Sequence, residues 1–121
     1  MDISQALTAF AALSQPLRLQ AFRLLITAGG DGMAAGDIAT ALGAKANTTS
    51  QNLSQLVHAG LISSTRAGRS IIYSADMEGV NRLLLFMLED CCGGQPDQCR
   101  PLIEALAPCC EPPSELTCKT P

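Results

Sequence analysis

The sequence has no tryptophan, one tyrosine and three phenylalanines in 121 residues, yet it is 47% hydrophobic. A core so poor in aromatics must come from Leu, Ile, Ala and Val, which suits small packed helices within one domain. Long apolar runs are missing too. Leu83 to Leu88 is far too short to span a bilayer, so no membrane segment is expected. The start, Met1-Asp2-Ile3, lacks a basic stretch ahead of an apolar one, so no secretory signal is visible and the cytosol is the expected compartment. Histidine occurs once, at His58, and there is no acid/base pair or phosphate-binding glycine loop. That leaves no catalytic set and argues against an enzyme.

Cysteine is absent before Cys91, and all six cysteines fall in the last 31 residues. A core using cysteine as a small hydrophobe would scatter it, and a reducing compartment disfavours structural disulfides. The clustering points to thiolate chemistry in the tail. Acidic residues are absent between positions 38 and 75, where Lys45, Arg66 and Arg69 give a local charge of +3 inside a chain whose net charge is −3. Because salt screens charges beyond about 8 Å, the local sign governs contact with a phosphate, and the positive middle is compatible with nucleic acid.

Apolar spacing at Ile3, Leu7, Phe10, Ala11 and Leu13 predicts a short helix over 3–13. Ser14 is the expected N-cap of a second helix, with Pro16 in its first turn and the Gly29–Gly32 stretch as its end. Two short helices follow, the first from Asp37 to the Gly43 stop and the second from Asn47 to Gly60. Two β-rich runs, Leu61–Thr65 and Ser70–Ser74, flank Arg66-Ala67-Gly68-Arg69 and read as a hairpin. A strong helix covers about 77–90, and a brief helical patch is expected around 100–107. The fold class is mainly α with a small β-hairpin. Two short helices joined by a tight turn and followed by a hairpin make a winged helix-turn-helix.

In that motif the second short helix enters the major groove of double-stranded DNA. Its expected outward side carries Thr48, Gln51, Asn52 and Ser54, with Asn47 and Ser50 as further expected DNA contacts, while Leu53, Leu56 and Val57 are expected to face inward. Asn and Gln can pair bidentately with adenine, and Ser or Thr can serve base or phosphate. Lys45, Arg66 and Arg69 are the expected phosphate or minor-groove contacts. His58 is expected to be a surface side chain rather than a metal ligand.

The stretch Phe10-Ala-Ala-Leu-Ser-Gln-Pro-Leu-Arg-Leu19 resembles the entry of the ArsR/SmtB metalloregulatory repressors. The segments Asp37–Gly43, Leu53–Ile62 and Arg66–Tyr73 continue the likeness, which covers about residues 3–90. The resemblance implies a homodimeric repressor of an inverted-repeat operator, with residues 3–13 and 77–90 building the dimer interface. It also implies two parts, a DNA-binding and dimerisation domain over 1–90 and a cysteine-rich sensing tail over 91–121. Many arsenic-responsive members carry two cysteines just before the helix-turn-helix, where this chain reads Met33-Ala-Ala-Gly-Asp37. The segment Glu89–Cys99 instead resembles the tail of a subgroup that binds As(III) through a C-terminal triad. By position the implied ligands are Cys91, Cys92 and Cys99, with Cys109, Cys110 and Cys118 as a candidate second set. Three thiolates suit a soft trivalent metalloid, whereas zinc wants four ligands. No resident cofactor is expected. As(III) enters as inducer, with Sb(III) and methylarsenite as alternatives. Two further readings stay open, a thiol redox-switch repressor of the same fold and a thiol-rich metal-binding or storage protein.

Overall fold

A computed structural model describes residues 1–88 together with 101, 104 and 105. The chain divides into units Met1–Phe86 and Met87–Pro121, and the fold below is that of the first. Both cysteine sets, Cys91, Cys92 and Cys99 as well as Cys109, Cys110 and Cys118, lie outside the described residues and rest on sequence alone.

The first helix, α1 (Ile3–Leu13), opens with a capping box in which Asp2 accepts from the Gln5 backbone and the Gln5 side chain accepts from Asp2 N. This satisfies two otherwise orphaned donors reciprocally. Its buried face is Ala6, Ala9 and Ala12, while Ile3 and Leu7 stay 66% and 62% exposed. Small side chains let α1 lie close against the core, and the larger apolar ones are left on the surface.

Helix α2 (Pro16–Ala28) is capped by Gln15, not by Ser14 as the sequence suggested. Proline occupies the first helical position, and the residue before a proline is held extended, which makes that residue the cap. Gln15 is extended and its side chain accepts from Arg18 N, while Ser14 ends α1 with its hydroxyl on the Ala11 carbonyl at 2.7 Å. Leu25 and Ala21 are buried, whereas Leu19 and Ile26 are exposed.

After a single helical turn at Gly29–Asp31 comes a strand the sequence did not announce, β1 (Met33–Ala34). Two residues leave no periodicity to read. They are strand because they pair antiparallel with a later strand, Met33 opposite Tyr73 and Ala34 opposite Ile72. Gly32 makes the approach possible: it has φ +70°, and a β-carbon there would overlap the Tyr73 carbonyl.

Helices α3 (Ala35–Leu42) and α4 (Ala46–His58) are joined by Gly43–Lys45. Gly43 is left-handed and returns its N–H to the Ala39 and Thr40 carbonyls, a C-terminal cap. The hairpin strands β2 (Ile62–Ala67) and β3 (Ser70–Ala75) pair from Ile62 opposite Ala75 to Ala67 opposite Ser70. Only Gly68 and Arg69 lie between them, so Arg66 is a strand residue rather than part of a four-residue loop. The sheet order is β1-β3-β2. Residues 63 to 70 are all exposed, and without burial no alternating pattern marked where the strands end.

Helix α5 (Met77–Leu88) starts against the turn after α4. Asp76 caps it by accepting from Gly79 N, and Asp76 N bonds the Leu61 carbonyl at 2.9 Å. A β-carbon on Gly79 would overlap the Gly60 carbonyl oxygen, so the helix can sit this close only with glycine there. The core joins Leu25, Ile38, Leu53, Leu56, Leu61, Ile62 and Leu83 with the α1 alanines and Tyr73. No helix among the described residues is long and apolar enough to cross a membrane.

Candidate nucleic-acid interface

The stripe Thr49, Leu53 and Leu56 sits at helical spacing and buries one side of α4. Val57, expected inward, is exposed at 36%, because it lies past the edge of that stripe. Thr49 is buried at 3% and its hydroxyl has no hydrogen-bond partner among the described residues. On the opposite side Asn47, Thr48, Ser50, Gln51 and Ser54 are exposed, as is Lys45 at the N-cap. His58, in the last turn, is exposed. The open face is therefore polar and uncharged, with donors and acceptors suited to base edges and phosphates.

Asn52 departs from the expected outward set. It is half-buried, and its Oδ1 accepts from Arg18 Nη1 at 3.3 Å. One residue per helical position is all the sequence shows. Which neighbour claims a side chain at the edge of the buried stripe depends on how α2 crosses α4. Arg18 was visible only as a charge, although an arginine within the apolar run Leu17–Ile26 was the available signal.

Arg66 and Arg69 are both exposed, Arg66 in β2 and Arg69 in the turn at the wing tip. An open cleft of about 300 Å³ joins the wing to the helices, lined by Ala34 of β1, Gly36 of α3, Ser50 of α4, and Arg69 and Ser70. The structure thus gathers one expected DNA contact of α4, Ser50, and one expected phosphate contact, Arg69, along a single depression. Among the described residues no acidic side chain lines it.

Residues 13–65, which contain this whole helix-turn-helix, match a helix-turn-helix domain family. The HTH-type transcriptional regulator YgaV of Escherichia coli (strain K12) is 36% identical over 80 residues, covering 66% of this chain and 79% of that protein. An ArsR-like transcriptional regulator from Rhodococcus sp. RHA1 superposes with a TM-score of 0.63 at 25% identity, over 84% of this chain and 92% of that one. This chain belongs to the ArsR-like winged-helix transcriptional regulators. Another solved structure, the homodimeric winged helix-turn-helix DNA-binding domain Mb0332 from Mycobacterium bovis, gives a TM-score of 0.60 at 29% identity, over 71% of this chain and 78% of that one. The ArsR-like relatives are transcriptional regulators rather than enzymes, and so is this protein. Within the family frame α4 is the recognition helix and β2–β3 the wing.

Proposed function

We propose that the protein is a homodimeric repressor which binds an inverted-repeat DNA operator and releases it when As(III), or Sb(III), is bound by C-terminal cysteine thiolates. The observation that carries the reading is the position of the Cys91-Cys92 pair in the sequence, three and four residues after Leu88, the last described residue of α5. Helix α5 presents Met77, Leu84 and Leu85 to solvent, with Leu85 70% exposed. Helix α1 does the same with Ile3, Leu7 and Phe10. Exposed apolar side chains grouped on two helices are the surface a symmetric partner covers, and the M. bovis domain is itself a homodimer. A two-fold dimer sets two α4 helices about one DNA turn apart.

Cys91, Cys92 and Cys99 supply the thiolates. Bonds from all three to one metalloid set a fixed distance between Cys99 and the pair that follows α5. Because α5 belongs to the dimer surface, that constraint favours one arrangement of the subunits over another. A coupling of about 1–3 kcal/mol weakens operator binding roughly 5- to 150-fold. Cys109, Cys110 and Cys118 repeat the pair-plus-one pattern and form a second candidate set.

The test is fluorescence anisotropy of the full chain on operator DNA, with and without arsenite. Arsenite is expected to release the DNA, and Cys91→Ser or Cys92→Ser to yield a repressor that binds DNA but no longer responds. Unchanged affinity in arsenite defeats the reading. Release by peroxide alone would move the switch to thiol oxidation.

A further inference from the structure

Arg18 sits half-buried where α1, α2 and α4 meet. Its Nε donates to the Ala12 carbonyl at 2.6 Å, its Nη2 to the Ala11 carbonyl at 3.4 Å, and its Nη1 to Asn52 Oδ1 at 3.3 Å. The first two acceptors belong to the last turn of α1, at the negative end of its dipole; the Ala11 carbonyl is shared with the backbone N–H and hydroxyl of Ser14, so the closer bond to Ala12 is the main tie to α1. The third belongs to α4. The ion pair found among the described residues, Arg82 with Glu78, involves neither Arg18 nor its acceptors. The planar guanidinium therefore bridges two helices from a third, using three donors in a fixed fork. Arginine has no acceptor, so the Asn52 amide must turn its oxygen toward α2.

We infer that Arg18 is a positioning residue for DNA recognition, tying the end of α1 to the recognition helix through Asn52, and that Asn52 is an anchor rather than a reader of base edges. The inference rests on the DNA-reading role of α4. Gln51 adjoins Asn52, and Thr48 lies one turn earlier. Fixing Asn52 thus fixes the rotation of α4 about its axis, and with it the angle at which those exposed side chains leave the helix. Because the other end of the bridge is α1, the same contact relates the recognition helix to the apolar surface on Ile3, Leu7 and Phe10. An error there is carried into the relation between the two DNA-reading units.

The experiment is a double-mutant cycle on the full chain with Arg18→Ala, Asn52→Ala and the pair. Binding is read by anisotropy on a duplex selected from a randomised pool with the wild-type protein, on single-base variants of it, and on an unrelated duplex. Each single variant is expected to lose about three- to thirtyfold on the selected duplex, with the double variant no weaker than the worse single. Binding to the unrelated duplex should hold, and the base preferences of Asn52→Ala should match wild type at every position. Losses that multiply in the double variant overturn the bridge. A relaxed preference at one base pair in Asn52→Ala alone makes Asn52 a reader and overturns the anchor.

Should Arg18→Ala fail to fold, Arg18→Lys replaces it, keeping the charge but not the fork. Asn52→Asp adds a thermal arm. A carboxylate at that site should pair with Arg18 and raise the melting temperature, and the gain should shrink when Asn52→Asp is combined with Arg18→Lys. No gain overturns the bridge independently of DNA. If the wild type selects no sequence from the pool, the repressor reading fails, and the thermal arm still decides the bridge.

Discussion

Replacing Gly79 by alanine adds one methyl group at the tightest approach between α5 and the rest of the unit. That methyl overlaps the carbonyl oxygen of Gly60, which is backbone and cannot swing aside as a side chain could. Nor can the turn retreat freely. Gly60 N bonds the Val57 carbonyl at 3.0 Å, Leu61 N bonds Leu56 at 3.1 Å, and Asp76 N bonds Leu61 at 2.9 Å. Overpacking of this kind costs about 1–3 kcal/mol, and more when backbone must move. Alanine returns at most about 1 kcal/mol of helix propensity, less in a first turn such as this. The expected net loss is about 1–2 kcal/mol, which lowers the melting temperature by about 5–15 °C for a unit of this size. Gly36→Ala is the control. Gly36 is exposed in the first turn of α3 and a β-carbon there meets nothing within 4 Å, so its stability should hold or rise slightly. Far-UV circular dichroism melts at one protein concentration read both variants, because dimerisation would otherwise shift the midpoint. If Gly79→Ala melts at or above the wild type, α5 is not seated against Gly60 and the reasoning is wrong.

Leu53→Ala removes a fully buried side chain of α4, and urea unfolding should show a loss of about 2–5 kcal/mol; a loss well below 1 kcal/mol would mean the stripe is not core. Leu7→Glu alters a side chain that is 62% exposed in one subunit, so the fold should survive by circular dichroism while sedimentation shifts from dimer to monomer. A mutant that stays dimeric would take α1 out of the interface. Arg69→Ala at the wing should weaken binding to all duplexes alike and reduce the slope of log affinity against log salt by about 0.9 for each phosphate the side chain no longer neutralises. A change confined to one base pair would make Arg69 a base reader instead.

Much of the fold was legible in the chain because its signals are local. Gly43 as a helix stop, Pro16 as a helix start and the Gly68-containing hairpin each act within a few residues of themselves, and so do the apolar stripes of α4 and α5. The misplacements share a cause. Ser14 lost the cap to Gln15 because the constraint before a proline outranks a favourable hydroxyl. β1 went unseen because two residues become a strand only when β3 lies beside them. Val57 and Asn52 flank the buried stripe of α4, where a small rotation decides between solvent and a neighbour.

By itself the sequence determined the order of helices and hairpin, the acid-free middle of the chain, the polar face of α4 and the gathering of cysteine beyond α5. All of these follow from residue type and spacing along one strand of covalent bonds. Tertiary structure alone decided that α1 buries its alanines and turns Ile3, Leu7 and Phe10 outward. It also decided that Arg18 takes Asn52 from the reading face, and that α5 rests on bare backbone at Gly60. Each depends on how closely two elements approach, a distance set by the packing of the whole core and written in no single segment.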